Sequence, residues 1–236
     1  MRLEPQGPAP AVVLFDIDGT LVRRSGPHHR QALVEAVRRV TGFDTTTDHI
    51  PVQGMLDRQI MEHMMRDAGA PRSLVRRAMP QLVQAAQHVY LRAAPPPALH
   101  DRVCPGALAL LRNLRRRGVP MGLVTGNLSR IGWKKLERAG LRHYFSFGAF
   151  AELAHERAQL VRIALQRARS RGWIGVHTCL WLVGDHPNDI LAAKANGLRS
   201  IAVATGLSPV EELTGCHPDI VVEDLRALTL ESLFHA

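Results

Sequence analysis

Short apolar runs, each bounded by turn residues, recur along this chain and alternate with longer helical patterns. Each run is too short for a typical helix, and four of the five are rich in β-branched residues, so they are predicted to be buried strands. The five runs are Ala11–Phe15, Val119–Val124, Leu180–Val183, Ser200–Val203 and Ile220–Val222, with Phe145–Phe147 as a further candidate. Strands that alternate with helices form right-handed βαβ units, which predicts an α/β fold with a doubly wound, Rossmann-like parallel sheet.

The helical patterns fall into two groups. Five follow the predicted strands, at Gly106–Arg117, Ser129–Ala139, Glu156–Ser170, Pro187–Asn196 and Pro209–Leu213. Three more stand together between the first two strands, at His29–Val40, Arg58–Ala68 and Ser73–Ala93. This break in the alternation predicts a helical cap domain at residues 25–96, inserted into a core domain of residues 1–24 and 97–236. Pro95–Pro97 is expected to form a stiff return linker.

Charge and composition argue against several classes of protein. The net charge is +9, but the arginines are spread over helical patterns and only 5% of residues are aromatic, which argues against a nucleic-acid groove. No apolar stretch approaches the ~18 residues of a membrane-spanning helix, and the first ten residues do not resemble a secretory signal. Cys104, Cys179 and Cys216 lack metal or redox spacing, so a reduced, cytoplasmic location is expected. From the charge distribution and the short apolar runs, we expect neither nucleic-acid nor membrane partners.

Polar side chains follow three of the predicted strands directly. Asp16 and Asp18 come after the first strand, Thr125 and Asn127 after the second, and Asp185 and Asp189 after the strand at Leu180–Val183. In open parallel sheets, ligands bind beyond the carboxyl ends of the strands. These side chains are therefore expected at one edge of the sheet, where a ligand would lie.

Each of these segments also has a purely structural explanation. A single Asp-Gly or Asn-Asp is usually part of a turn, and Thr125 and Asn127 are suited to capping a helix at Ser129. Four acids at two strand ends are harder to explain in this way, because crowded like charges repel unless a cation lies between them. The combination predicts a divalent cation held by oxygen ligands, and Mg²⁺ is the usual one at phosphate sites.

Three segments resemble motifs of a known family. The run Leu14–Val22 (LFDIDGTLV) resembles the first motif of the haloacid dehalogenase-like (HAD) hydrolase superfamily, Val124–Asn127 its second, and Gly184–Ile190 its fourth. The inserted helices resemble the cap of the phosphoglycolate-phosphatase-like branch, and the similarity extends from about Ala11 to Leu233. The resemblance implies a magnesium-dependent phosphatase that acts on a small phosphorylated metabolite through an aspartyl-phosphate intermediate.

The resemblance also implies roles for individual residues. Asp16 is the expected nucleophile, and Asp18 the expected acid for the leaving group and then base for water. Thr125, Gly126 and Asn127 are expected to contact the phosphoryl group. The Mg²⁺ ligands implied are Asp16, the backbone carbonyl of Asp18, and Asp185, with Asp189 supporting them directly or through water.

The third motif of the family departs from its usual form here. It is a Lys or Arg that steadies the nucleophile and the phosphate, and the chain has no Lys between Lys135 and Lys194. Arg157 is the preferred match, because it opens the helix after the predicted third strand and can contact phosphate bidentately. Arg162 is the second choice, and either arginine can instead be a solvent-facing helix residue.

The cap is expected to select the substrate. Gly54–Arg58 resembles the cap turn that faces the active site, so Asp57 or Arg58 either contacts the substrate or caps the following helix. His28 and His29 are expected at the surface, and His186 is near the site without an assigned role.

The sequence disfavours several other functions on this fold. A phosphomutase or phosphonate-cleaving enzyme on this fold usually needs a cap lysine, and His28–Ala94 contains none; a dehalogenase lacks the acid at the position of Asp18. A binding domain without activity is disfavoured because the motif acids are intact. The sequence leaves the metabolite open, and both a monomer and a homodimer are compatible with it.

Overall fold

The computed structural model describes residues 7–23, 27–93 and 102–234. Within these ranges six parallel strands form one sheet in the order β3-β2-β1-β4-β5-β6. The strands are β1 (Ala11–Phe15), β2 (Met121–Val124), β3 (Phe147–Ala149), β4 (Cys179–Gly184), β5 (Arg199–Val203) and β6 (Ile220–Val222). The predicted α/β fold with a doubly wound parallel sheet is confirmed.

Helices connect the strands and form the insertion. They are α1 (His28–Thr41), α2 (Asp57–Asp67), α3 (Arg72–Ala93), α4 (Ala107–Arg116), α5 (Ser129–Arg138), α6 (Arg157–Arg169), α7 (Pro187–Lys194), α8 (Val210–Gly215) and α9 (Glu231–Phe234). Each of the eight predicted helices begins and ends within two residues of its observed bounds. Helix α9 has only four residues, which is too few to show a helical period in the sequence. Of the helices that the structure describes, none has the length and apolar character needed to cross a membrane.

Two predicted strands begin two residues later than expected, whereas β4 and β5 begin one residue earlier. Strand β2 starts at Met121 rather than Val119, because Pro120 lacks the N–H that a sheet ladder requires. Strand β3 starts at Phe147 rather than Phe145, after a 3₁₀ turn at Arg142–Tyr144. The Phe145 ring instead packs edge-on against Phe15 under the sheet, with ring centroids 6.0 Å apart.

The strand register brings three strand ends to one edge of the sheet. Phe15, the last residue of β1, lies level with Leu123 of β2 and Val183 of β4. The residues that follow these strands therefore leave the sheet side by side. Because β1, β2 and β4 are neighbours in the strand order, these strand ends lie away from the outer strands of the sheet.

Helices α1, α2 and α3 form the insertion between β1 and β2. Their buried apolar residues belong to the same cluster as Val12 and Leu14 of β1, whereas Val13 and Phe15 belong to the cluster on the opposite face. The predicted boundaries at 24/25 and 96/97, and the predicted linker Pro95–Pro97, fall in segments outside the described residues. The division into a core and a cap domain therefore stays a prediction.

Candidate active site

Asp16 lies at the centre of the sheet edge, directly after β1. Its backbone N–H donates to the carbonyl of Val183 at 3.0 Å, so the residue is fixed between β1 and β4. Its side chain is buried, and Oδ1 has no hydrogen-bond partner among residues 7–23, 27–93 and 102–234. The nearest cation is Nη1 of Arg157, 3.4 Å from this oxygen, which is ion-pair distance without hydrogen-bond geometry. A buried carboxylate oxygen without a hydrogen bond is costly unless a ligand satisfies it.

Asp16, Asp185 and Asp189 form a cluster of three buried carboxylates, which offer oxygen atoms within 4.8 Å of one another. Glycines give the Asp185 carboxylate its space, because a Cβ atom at Gly19 or Gly206 would collide with it. Hard divalent cations prefer such carboxylate oxygens, and the unsatisfied Oδ1 of Asp16 supplies one open position. The residues present therefore fit a divalent ion.

Asp189 is already engaged within this cluster. Its Oδ1 accepts from Nη1 of Arg157 at 2.6 Å, and its Oδ2 accepts from the N–H of His186 at 3.2 Å. Burial raises the pKa of Asp189, and the Arg157 guanidinium opposes that rise. Asp189 is thus better placed to support the cluster than to coordinate an ion with both oxygens.

Arg157 is the first residue of α6, and its side chain points into the carboxylate cluster. Burial alone would lower its pKa, but Asp189, Asp16 and Asp185 together raise it, so the guanidinium stays charged. Arg162, the second choice for the third motif, is exposed on the same helix. The geometry therefore favours Arg157 for this position.

The side chain of Asp18 turns away from the carboxylate cluster. Its Oδ2 accepts from Nδ2 of Asn127 at 2.8 Å and from Nζ of Lys135 at 2.6 Å. Burial alone would raise the pKa of Asp18, but Lys135, then His29, and the hydrogen bond of Asn127 lower it overall. Asp18 is therefore a carboxylate in the protein without substrate.

Thr125 and Asn127 are bound to each other rather than to the start of α5. Thr125 Oγ1 accepts from Nδ2 of Asn127 at 2.7 Å, and both side chains are buried. The first amides of α5 are instead satisfied by Glu152 and Gln87, which accept from Ser129 and Arg130. The capping explanation considered for Thr125 and Asn127 is thus not what the structure shows, because other side chains occupy those amides.

The loop before α2 lies against the strand-end loops of the sheet. Asn188 Nδ2 donates to the carbonyl of Gly54 at 2.9 Å, and the N–H of Asp57 donates to the carbonyl of Gly126 at 2.8 Å. Gly54 has a φ of +63°, and a Cβ atom there would collide with the ring of His186. The predicted cap turn therefore contacts the sheet edge directly.

Of the two predicted cap residues, Asp57 lines the cavity and Arg58 does not. Asp57 is buried, lines the cavity over the sheet edge, and its Oδ2 accepts from the N–H of Leu128 at 2.8 Å. Arg58 approaches Glu62 on its own helix at 3.8 Å and is not among the residues that line the cavity. Substrate contact by Arg58 stays a prediction without support from this geometry.

His186, which had no assigned role, is the N-cap residue directly before α7. Its Nδ1 accepts from the N–H of Asn188 at 3.1 Å, so the side chain caps the helix while it lines the cavity. The cavity has a volume of about 140 Å³, and residues of both the insertion and the sheet edge line it.

The sequence reasoning missed two residues of the site, Lys135 and His29. Lys135 Nζ is buried and reaches Asp18 and Asn127, and His29 bonds both Asp57 and Lys135. His29, expected at the surface, is partly buried instead: its side chain is 20% exposed and its ring meets Tyr90 of α3 edge-on. A signal for Lys135 existed: it lies on the same face of α5 as the buried Ile131, Gly132 and Leu136.

The comparisons with known proteins agree with this geometry. A phosphoglycolate phosphatase from Pseudomonas fluorescens Pf-5 is 27% identical over 94% of this chain and 80% of its own length. One from Agrobacterium fabrum C58 is also 27% identical, over 94% of this chain and 92% of its own. The solved structure of β-phosphoglucomutase from Clostridium difficile superposes with a TM-score of 0.71 at 17% identity and covers 94% of both chains.

A second solved structure, a predicted phosphoglycolate phosphatase from Haemophilus somnus 129pt, superposes with a TM-score of 0.63 at 19% identity and covers 94% of this chain and 96% of its own. These structural likenesses show the fold. Residues 10–197, most of the chain, match the family described as haloacid dehalogenase-like hydrolase. The family match, the parallel sheet and the carboxylate cluster at its edge agree, and the chain belongs to the haloacid dehalogenase-like hydrolases.

Proposed function

We propose that this protein is a magnesium-dependent phosphatase of small phosphomonoesters and that Asp16 is its nucleophile. The observation that carries the proposal is Oδ1 of Asp16, a buried oxygen that accepts no hydrogen bond from the described residues and lies 3.4 Å from Nη1 of Arg157. The Asp16 side chain also clusters with the carboxylates of Asp185 and Asp189. A carboxylate has two oxygens, so Asp16 can contact a divalent ion with one and attack an electrophile with the other. A phosphoryl group, with its negatively charged oxygens, matches the surrounding donors.

In the first step an Asp16 oxygen attacks phosphorus, and the bond from phosphorus to the ester oxygen breaks. Asp18 gives its proton to the leaving alkoxide, so an alcohol departs and an aspartyl phosphate remains. Asp18 is ionised in the free protein, and the charge of an arriving phosphate raises its proton affinity. Proton uptake at Asp18 therefore accompanies substrate binding.

In the second step water attacks the phosphorus of the aspartyl phosphate. Asp18 accepts a proton from that water, the acyl phosphate bond breaks, and Asp16 is restored as inorganic phosphate leaves. Lys135 and Asn127 hold Asp18 as the carboxylate that this step needs. Thr125, the amide of Gly126 and Arg157 are assigned to the phosphoryl oxygens.

Asp16 and Asp185 would hold the divalent ion, with the backbone carbonyl of Asp18 as a third ligand and Asp189 in support. When bound, Mg²⁺ supplies positive charge that lets two anions, carboxylate and phosphate, approach each other. Arg157, 3.4 Å from Oδ1 of Asp16, neutralises part of the same charge.

Phosphoglycolate is the first substrate to test. The two curated relatives described above are both called phosphoglycolate phosphatase, and the cavity is small. Of the three Lys and Arg side chains that line it, Lys135 and Arg157 pair with carboxylates, whereas Arg30 forms no ion pair within the described part of the chain. Arg30 is thus available to a substrate that carries a second negative group, as the carboxylate of phosphoglycolate does.

The test is a comparison of two esters of the same size. Phosphate release is measured from phosphoglycolate and from 2-hydroxyethyl phosphate, with MgCl₂ and with EDTA. We expect a higher kcat/KM for phosphoglycolate, no release in EDTA, and no release by Asp16→Asn, whose melting temperature should match the wild type. If phosphate were released from neither of these esters nor from an aryl phosphate, a binding domain without activity would be favoured instead.

A phosphomutase is the second candidate, and one contact favours it. Residues 28–94 contain no lysine, but Lys135, outside the insertion, lies 3.1 Å from His29 of the insertion. Incubation with a hexose 1-phosphate and catalytic hexose bisphosphate separates the two functions. A mutase yields the isomeric hexose phosphate, and a phosphatase yields free phosphate.

A further inference from the structure

The ammonium group of Lys135 is fully occupied by partners from three segments of the chain. Its Nζ lies 2.6 Å from Oδ2 of Asp18, 2.6 Å from Oδ1 of Asn127 and 3.1 Å from Nδ1 of His29. An ammonium has three N–H donors, so this geometry uses all of them. The side chain is 5% exposed, which leaves water little access as a substitute partner.

The contact with His29 continues into the insertion. Because Lys135 can only donate, Nδ1 of His29 accepts, and its Nε2 carries the proton that is donated to Oδ2 of Asp57 at 2.9 Å. Asp57 Oδ2 also accepts from the N–H of Leu128, at the start of α5. The chain of hydrogen bonds therefore runs from Asp18 in the core through the insertion and back to the core.

We infer that Lys135 is a positioning residue for Asp18 and that His29 makes its position depend on closure of the insertion over the sheet edge. This inference rests on the proposed function, in which Asp18 is the acid and base. Lys135 and Asn127 both contact Oδ2 of Asp18, so the other oxygen is left to face a reactant in the cavity. When the insertion moves away, Lys135 loses an acceptor, and a buried ammonium with an unmet donor must rearrange.

The acceptor that Lys135 would lose, Nδ1 of His29, belongs to the insertion. His29 is on α1, its ring meets Tyr90 of α3 edge-on with centroids 5.8 Å apart, and Asp57 begins α2. All three inserted helices therefore fix the position of one imidazole. An ordinary surface ion pair would need none of this support, because its charges can reorient in water.

The experiment compares Lys135→Met with Lys134→Met, its neighbour on α5, which pairs with Glu137 away from the cavity. We expect Lys135→Met to lower kcat by about 10²-fold, with KM changed less than about threefold, since acid–base catalysis commonly contributes 10²–10⁴-fold. Lys134→Met should keep kcat within about twofold of the wild type, because removing an exposed pair perturbs little. Equal kcat for the two variants, or a rise in KM that matches the loss of kcat, would overturn the inference.

His29 variants test the dependence on closure. His29→Phe keeps the ring but removes the acceptor and should lower kcat about tenfold, whereas His29→Asn keeps an acceptor near Nδ1 and should restore most of it. The double variant Lys135→Met/His29→Phe should be no slower than Lys135→Met, because both act through Asp18. Effects that multiply in the double variant would contradict a shared route. If Lys135→Met does not fold, kcat is compared instead among Lys135→Arg, His29→Phe and His29→Asn.

A readout without turnover separates this inference from the proposed function. The amides of Asp57 and Leu128 donate across the boundary between insertion and core, so their hydrogen exchange reports closure. His29→Phe and Lys135→Met should speed exchange at both amides at least tenfold, and Lys134→Met should not. If the wild type hydrolyses no ester, the proposed function fails, and unchanged exchange in the His29 and Lys135 variants overturns the positioning role independently.

Discussion

Nη1 of Arg157 donates to Oδ1 of Asp189 across 2.6 Å, and both side chains are buried. Arg157→Met would leave a cluster of three buried carboxylates without its cation. Removing one partner of a buried pair costs about 3–5 kcal/mol, so we expect a clear fall in the free energy of unfolding measured in urea without metal. We also expect kcat to fall at least ~10²-fold, the typical cost of losing one charge-stabilising donor.

Arg162→Met is the matched control for this prediction. Arg162 lies on the same helix and was the other choice for the third motif, but its side chain is exposed. Its loss should change stability by less than about 0.5 kcal/mol, as surface substitutions usually do. If Arg162→Met were the more damaging change, the assignment of the third motif to Arg157 would be wrong.

Metal binding should stabilise the folded protein through Asp185. A ligand present at 100 times its dissociation constant adds about 2.7 kcal/mol, which for a chain of this size raises the melting temperature by roughly 5–10 °C. We expect MgCl₂ to give such a rise for the wild type and for Asp67→Asn, an exposed control on α2. Asp185→Ala should show no rise, and an unchanged response would place the ion elsewhere.

Gly54 should matter through a contact rather than through its backbone angle. Gly54 and Gly69 both have positive φ, but a Cβ atom at Gly54 meets the His186 ring, whereas at Gly69 it meets open space. Both alanine variants therefore bear the same strain, about 1 kcal/mol, and only Gly54→Ala forces the insertion off the sheet edge. We expect Gly54→Ala to lower kcat/KM at least tenfold and Gly69→Ala to leave it within about twofold. Similar kinetics for both would contradict the role of this contact.

Cys104 should be unreactive in the folded protein. Burial raises the pKa of its thiol to about 11, so at pH 8 only about 0.1% is thiolate, the form that reacts. Alkylation by iodoacetamide at pH 8, followed by mass spectrometry, should label the partly exposed Cys179 and Cys216 well before Cys104. In urea all three should react alike. Rapid labelling of Cys104 under native conditions would show that this part of the core opens.

The fold and family could be predicted from the sequence because their signals are local. A buried parallel strand reads as a short apolar run, and the acids that follow β1 and β4 stand next to it in the chain. The family prediction is confirmed by the match over residues 10–197. The assigned roles of Asp16, Asp18 and the other site residues stay predictions.

Lys135 and His29 could not be placed in this way, because their positions depend on how helices meet in space. His29 is 106 residues from Lys135, and the two meet through one side-chain contact between the insertion and α5. A lysine on the apolar face of an amphipathic helix is a weak hint by itself, since many lysines bury their stems and keep the charge in water. The contact needed the three-dimensional arrangement of the insertion and the sheet.

The cavity has one wall from the insertion and one from the strand ends, and the two walls come from separate stretches of the chain. The carboxylates proposed to react all stand on the strand-end wall, whereas Arg30, Leu33 and Val52 stand on the other. Substitutions at these three positions, which lie outside the hydrogen-bonded chain of His29 and Asp57, can therefore alter which molecules enter while the reacting groups stay unchanged. The same three positions are suited to a substitution library aimed at substrate specificity, because none of them belongs to the proposed reacting groups.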